Sequence, residues 1–214
     1  MNSASDLRNW WRLTAISILL LAVTGIPPST YAQPAMLDPV QMVQVTVRDA
    51  LAEVLNNEEL YRNNGDRLQA MVEERIAPYF NFERMTQLAV AQPWRDATPA
   101  QRESLTREFR SLLIRTYANV SYDFRSDLPN IRITPRDIRE QRALVRVEVD
   151  ASRGRRGTVI DIRMEKRDQR WQVIDVMVDG VSLIVNYRAS FASEIARNGF
   201  DGLIETLKAE NSRH

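Results

Sequence analysis

Few side chains in this chain of 214 residues could carry out chemistry. There is no cysteine, and the one histidine, His214, is the last residue. Those two facts remove thiolate nucleophiles, disulfides, zinc ribbons and a lipoprotein anchor, and with them His-based triads and H-E-x-x-H helices. Neither G-x-x-x-x-G-K-[ST] nor G-x-G-x-x-G occurs, so there is no sequence argument for a nucleotide phosphate site. Carboxylate, Tyr, Lys and Ser chemistry is what remains. Asp175 lies between Ile174 and Val176 in an apolar stretch. There it could act as a base with a raised pKa, or accept hydrogen bonds from a neighbouring Arg or backbone group. With Asp179 and Tyr187 it could shuttle protons on an apolar substrate. Arg153, Arg155 and Arg156 form a basic hairpin tip. Such a tip can dock an acidic partner or approach anionic lipid, although its ordinary state is simply solvated.

These side chains depend on a framework that begins with an export signal. Arg8 and Arg12 precede residues 13–26, which carry no charge, and Pro27 and Pro28 break that run. A spanning helix needs about 20 apolar residues and a signal-peptide core about 7–15. Thr30-Tyr31-Ala32 sets small residues at the −3 and −1 positions of a cleavage site. The expectation is a signal peptide over 1–32, a single domain over 33–214, and a periplasmic address. Removing Asp6, Arg8 and Arg12 takes the 29 basic and 28 acidic residues to 27 of each. A neutral mature chain gives no support for nucleic-acid binding, which wants a clustered basic excess.

The first half of the domain reads as helices. Asp38-Pro39-Val40-Gln41 is a capping box with Pro at the first helical position. Val40, Val43, Val47, Leu51 and Val54 follow on one face. Asn63-Asn64-Gly65-Asp66 is a break with a new cap, followed by Leu68, Met71, Val72 and Ile76. Pro78 ends or kinks that helix, and Asn81 caps a short one. Thr98-Pro99-Ala100-Gln101 starts a long helix to about residue 124, with Leu105, Phe109, Leu113 and Tyr117 in its stripe.

The second half changes period. After a short strand over 131–133, Val145, Val147 and Val149 alternate with charged residues, as do Ile160, Ile162 and Met164. Turns at 152–157 and Asp168-Gln169 join them to a third long strand over 171–179. Two helices follow, the first stopped at Asn198-Gly199. The pattern predicts an α+β fold: helices packed on one face of a curved antiparallel β-sheet. An inner sheet face of Val, Ile and Met under apolar helices is either a closed core or a cleft, and the pattern alone is the same for both.

Four stretches resemble a known family. They are Trp94 with Thr98-Pro99-Ala100-Gln101-Arg102 leading to Phe109 and Tyr117; Trp171-Gln172-Val173-Ile174-Asp175-Val176; Gly180-Val181-Ser182-Leu183 with Asn186-Tyr187-Arg188; and Gly199-Phe200-Asp201-Gly202. Together, in this order, they resemble the MlaC family of toluene-tolerance auxiliary proteins, periplasmic carriers of phospholipid. One departure is that Ala91-Gln92-Pro93-Trp94 stands where the family often carries a Leu-Gly pair. The resemblance implies an NTF2-like cone with an added N-terminal helical layer and an apolar pocket. It implies phospholipid as cargo, with no cofactor, no metal and no enzyme activity. Its implied partners are an outer-membrane lipoprotein–porin complex and the substrate-receiving subunit of an inner-membrane ABC transporter. The competing readings are a small NTF2-like enzyme and a periplasmic adaptor without ligand.

A carrier must bury its cargo deeply. Taking an acyl chain out of hydrocarbon costs about 0.8 kcal/mol per CH₂, hence roughly 12 kcal/mol for a tail of about 16 carbons. The tail-contact candidates are the inward strand residues Val147, Val149, Ile160, Ile162, Met164, Val176 and Val178, with Ile184 and Val185 from the apolar side of the next helix. Val181 joins them at the pocket wall, since the preceding Gly180 lets backbone approach a ligand. Tyr117, Tyr187 and Arg188 are candidates for the pocket mouth and headgroup: tyrosine suits an apolar–polar boundary and Arg meets phosphate.

Overall fold

The computed structural model describes residues 37–61, 64–118, 130–151 and 156–212. The expected signal peptide, the long helix beyond Ala118, and Arg153 and Arg155 of the basic tip lie outside the described residues.

Helix α1 (Pro39–Asn56) starts where its capping box stands: the Asp38 carboxylate accepts from the Val40 and Gln41 amides, and the Gln41 side chain accepts from the Asp38 amide. After the single turn α2 (Glu58–Tyr61), Asn64 caps α3 (Gly65–Arg75) by accepting from the Arg67 amide. Pro78 is accommodated in a 3-10 turn, Ala77–Tyr79, so the chain turns instead of continuing as helix. Asn81 caps α4 (Phe82–Val90), and the Thr98–Gln101 capping box opens α5 (Pro99–Ala118).

The strands are β1 (Ile131–Ile138), β2 (Arg142–Val149), β3 (Thr158–Arg167), β4 (Arg170–Val178) and β5 (Val181–Ser182), paired antiparallel in sequence order. The first strand is longer than the pattern predicts because Pro135 lies within it. Pro135 is tolerated because β1 is an edge strand and its register shifts between Pro135 and Asp137. The short β5 follows a two-residue turn, Asp179-Gly180, with φ of 48° and 83°. Both central residues in the left-handed region is what a tight hairpin of this hand requires, and Asp-Gly supplies it. Gly180 therefore serves a hairpin turn. The last helix, α6 (Leu183–Ser212), bends where Gly199 takes φ 70° and ψ −172°.

Register puts Val147 opposite Ile160, Val145 opposite Ile162, Ile162 opposite Val176 and Ile160 opposite Val178, all on one face. Helix α1 covers part of that face, packing Met42 and Val43 against Val145, Val147, Val149 and Met164. On the other face the Arg146 guanidinium donates twice to Asp161, each at 2.7 Å, and holds that carboxyl below its usual range. A second core joins α4, α5 and α6 around Phe109, Leu105 and Leu203. A third joins α1, α3 and α5 around Leu68, Met71 and Ile114.

The turn after α4 forms despite its departure from the family's Leu-Gly pair. Ala91 sits at φ 60° and ψ −130°, a region that suits glycine, with its amide on the Gln87 carbonyl at 2.9 Å. Buried Trp94 holds the segment, with the Arg102 guanidinium 5.5 Å from its ring centroid and donating to its carbonyl. Ala91→Gly should therefore stabilise the protein by about 1 kcal/mol, net of glycine's larger chain entropy. For a chain of this size that is a rise of roughly 2–4 °C in Tm. A thermal melt checks it, and a fall in Tm would mean that the turn is not strained.

Candidate functional site

The three cores leave a space where they meet. Strands β3 and β4 bring Ile160, Val176 and Val178 to one wall, and α5 brings Leu113, Ile114, Tyr117 and Ala118 to the facing one. The end of α3 and the turn after it add Val72, Ile76 and Ala77; Phe80, Phe82, Met85 and Leu183 complete a cavity of about 230 Å³. The α5 set follows from helical spacing, since positions i, i+1, i+4 and i+5 share a face. Among the described residues on this lining, Tyr117 carries the one hydroxyl and none is charged.

Of the ten candidate tail contacts, Ile160, Val176 and Val178 line the cavity. The others are placed elsewhere. Val147, Val149 and Met164 are buried in the core cluster that also holds Met42 and Val43 of α1, and Ile162 packs beside it. These four share the inner face with the cavity residues but belong to its closed part. Ile184 is buried among Phe191, Leu203 and Leu207 in the helical core. Val181 and Val185 correct the expectation most clearly: they are 62% and 54% exposed, outside the cavity. For Val185 helical phase is the reason, because α6 turns Leu183 to the cavity and Ile184 to the core, leaving Val185 outward; Val181 lies on the two-residue edge strand β5, opposite Val178 at the exposed end of the sheet.

Tyr117, a candidate for the pocket mouth, is on the cavity lining. Tyr187 does not line it, but stands directly behind. Its ring makes an edge contact with Phe109 at 5.0 Å and a tilted one with Phe191 at 5.6 Å. Burial raises the Tyr187 phenol to about 12, with the adjoining Tyr117 hydroxyl acting in the same sense and a hydrogen bond from Thr116 in the opposite one. Arg188 is exposed and donates to the Leu88 carbonyl at 3.1 Å, away from the cavity. Apart from Tyr117, none of the lining residues from α3, α4 and α5 is among the sequence candidates for the pocket. Their spacing on a helix is the same whether they face another helix or a cavity.

The raised Tyr187 gives a pH signature. Below pH 10 the phenol is neutral in the folded and unfolded chain, and its contribution is complete. Between about pH 10 and 12 the unfolded chain loses the proton while the folded one keeps it, so stability falls. Allowing for its half-buried position, that loss is about 1 kcal/mol. Tyr187→Phe should flatten the fall of Tm with pH across this interval, and an unchanged slope would contradict the assignment.

Asp175 is 1% exposed and fully engaged. It accepts from the Ser182 hydroxyl at 2.8 Å, the Ile184 amide at 3.4 Å and Arg163 at 3.4 Å. Ser182 in turn accepts from the Val185 amide at 3.0 Å. The carboxylate thus ties the start of α6 to β4 and does not face the cavity lining. Among the described residues no group of His, Asp and Glu is placed to hold a metal ion, and no helix is long and apolar enough to cross a membrane.

Comparison with known proteins gives one consistent result. A family model described as MlaC protein matches residues 44–209. The toluene tolerance protein ttg2D of Pseudomonas putida is 25% identical over 187 residues, covering 86% of this chain and 83% of that one. A solved phospholipid-binding protein from Ralstonia solanacearum, in complex with a phospholipid, superposes with a TM-score of 0.72 at 30% identity. That match covers 83% of this chain and 98% of the other, and it has the same arrangement of helices on an antiparallel sheet.

Proposed function

The chain belongs to the MlaC family, and from that premise we propose that it is a non-enzymatic, periplasmic carrier of phospholipid. It takes phospholipid from one membrane's transport complex and hands it to the other's. The outer-membrane side is a lipoprotein–porin complex, and the inner-membrane side is the substrate-receiving subunit of an ABC transporter. The export signal expected at residues 1–32 supports the compartment. With no nucleotide-binding motif in the sequence, the partner must supply the energy for directed movement.

The observation that carries this reading is the apolar cavity between the inner sheet face and α5. Native interiors hold few voids larger than a water molecule. The space here, about 230 Å³, is walled by apolar side chains and opens to solvent beside Val178, so it leaves hydrocarbon surface facing water that an acyl chain would cover. Such a space is worth keeping for cargo. It is smaller than the roughly 300–1,000 Å³ of usual ligand clefts, so two long tails require its walls to spread. Three separate clusters meet there, and they can part without any one being opened. Asp175, the residue on which an enzyme reading would rest, is occupied in holding the start of α6.

The test is native mass spectrometry on the full chain, expressed for export and purified without detergent, followed by organic extraction. Stoichiometric two-tailed phospholipid is the expected result. A bare protein mass, with no uptake from vesicles, would overturn the carrier reading. Transfer of labelled phospholipid to proteoliposomes bearing the inner-membrane transporter tests the direction of delivery.

A further inference from the structure

A phospholipid does more than bring hydrocarbon into the protein. Each tail begins at an ester carbonyl, and drawing that acceptor out of water without a partner is penalised as for any buried polar group. An apolar cavity that swallows tails to their roots therefore needs a donor near its mouth. The described lining offers one, the Tyr117 hydroxyl.

Tyr117 is placed to offer that donor. It alone among the described lining residues carries a side-chain O–H, and Tyr187, held by Phe109 and Phe191, backs it from outside the lining. Tyr117 is only partly buried, whereas Met85 and Leu113 on the same lining are almost wholly buried, so it marks the more open end of the cavity. Leu183, one helical turn before Tyr187, lines the cavity, and Val178 lines it while being 37% exposed. The root of a tail whose end lies deeper, near Met85 and Leu113, would lie at this level.

We propose that the Tyr117 hydroxyl donates to an ester carbonyl at the root of an acyl chain, making the protein selective for ester-linked over ether-linked phospholipid. This rests on the carrier reading and names the atom that the site recognises. Arg188 has no part in it, and the phosphate remains outside the cavity.

The experiment offers the exported full chain vesicles with equal amounts of dioleoyl phosphatidylethanolamine and its dioleyl ether analogue. Headgroup and tails match, but both carbonyls are replaced by methylenes. The ratio extracted with the protein should favour the ester about three- to tenfold, and Tyr117→Phe should bring it to about one while still loading lipid. Tyr187→Phe keeps the Tyr117 donor and should keep the preference. Equal loading of both lipids by the parent protein overturns the inference and leaves the carrier reading standing, as does a preference that survives in Tyr117→Phe. Loading of neither lipid overturns both. The parent ratio decides the matter even if Tyr117→Phe does not fold.

Discussion

Val176→Trp is expected to abolish phospholipid loading while leaving the protein folded. Val176 is the β4 residue opposite Ile162, and it faces the cavity shared with Ile160, Phe80 and Leu113. An indole there occupies the space that an acyl chain needs. Because the space already exists, the ring should enter without the roughly 1–3 kcal/mol of strain that overpacking a filled core brings. The phospholipid extracted per protein should fall at least tenfold, given that burying a tail is worth on the order of 10 kcal/mol. Tm should hold or rise. The control is Val147→Trp, on the same sheet face but 4% exposed beneath α1. That variant should lose stability, yet its folded fraction should carry the normal lipid load. If the two variants behave alike, the division of the inner face into a covered core and a cargo wall is wrong.

That division is also where reading the sequence stops. Period-two alternation placed Val147, Ile160, Ile162 and Val176 on one face, and register confirms that they share it. Capping boxes located the starts of α1 and α5 because their signals are local: a side chain three residues from its partner amide needs no tertiary information. Which part of the sheet α1 covers is a tertiary fact. It depends on where the helix lies across strands that come only after α3, α4 and α5 in the chain, and Val147 and Val176 are indistinguishable before that is known. Val181 was misplaced because it stands on the two-residue edge strand β5, and Val185 for a reason related to tertiary placement. An apolar residue beside a cavity-lining one is turned away by about a third of a helical turn, and phase is set only when Leu183 and Ile184 find their separate neighbours. Asp179-Gly180 was readable as a turn, but its use as a hairpin depended on a two-residue β5 too short to give a pattern.

Asp175→Ala is the second large effect, and it falls on stability. The carboxylate is buried between β4 and the first turn of α6, where it accepts from Ser182, Ile184 and Arg163. Removing it leaves the Ser182 hydroxyl and the Ile184 amide short of an acceptor and takes a negative charge from a helix N-terminus. Arg163 is half exposed, so it returns to solvent and adds little. The sum is about 2–4 kcal/mol, or roughly 4–15 °C in Tm for a chain of this size. Asp175→Asn keeps an acceptor for the Ile184 amide and should lose about half as much. The consequence reaches the cavity through Leu183, which lies between Ser182 and Ile184 and forms part of the wall. A loosened start of α6 should speed lipid exchange from Asp175→Asn at temperatures well below its melt. A catalytic Asp175 would give the reverse pattern, with Tm unchanged and turnover of some added apolar substrate lost. A melt within 1 °C of the parent for Asp175→Ala would sink the structural assignment, because no buried carboxylate with three donors can be removed so cheaply.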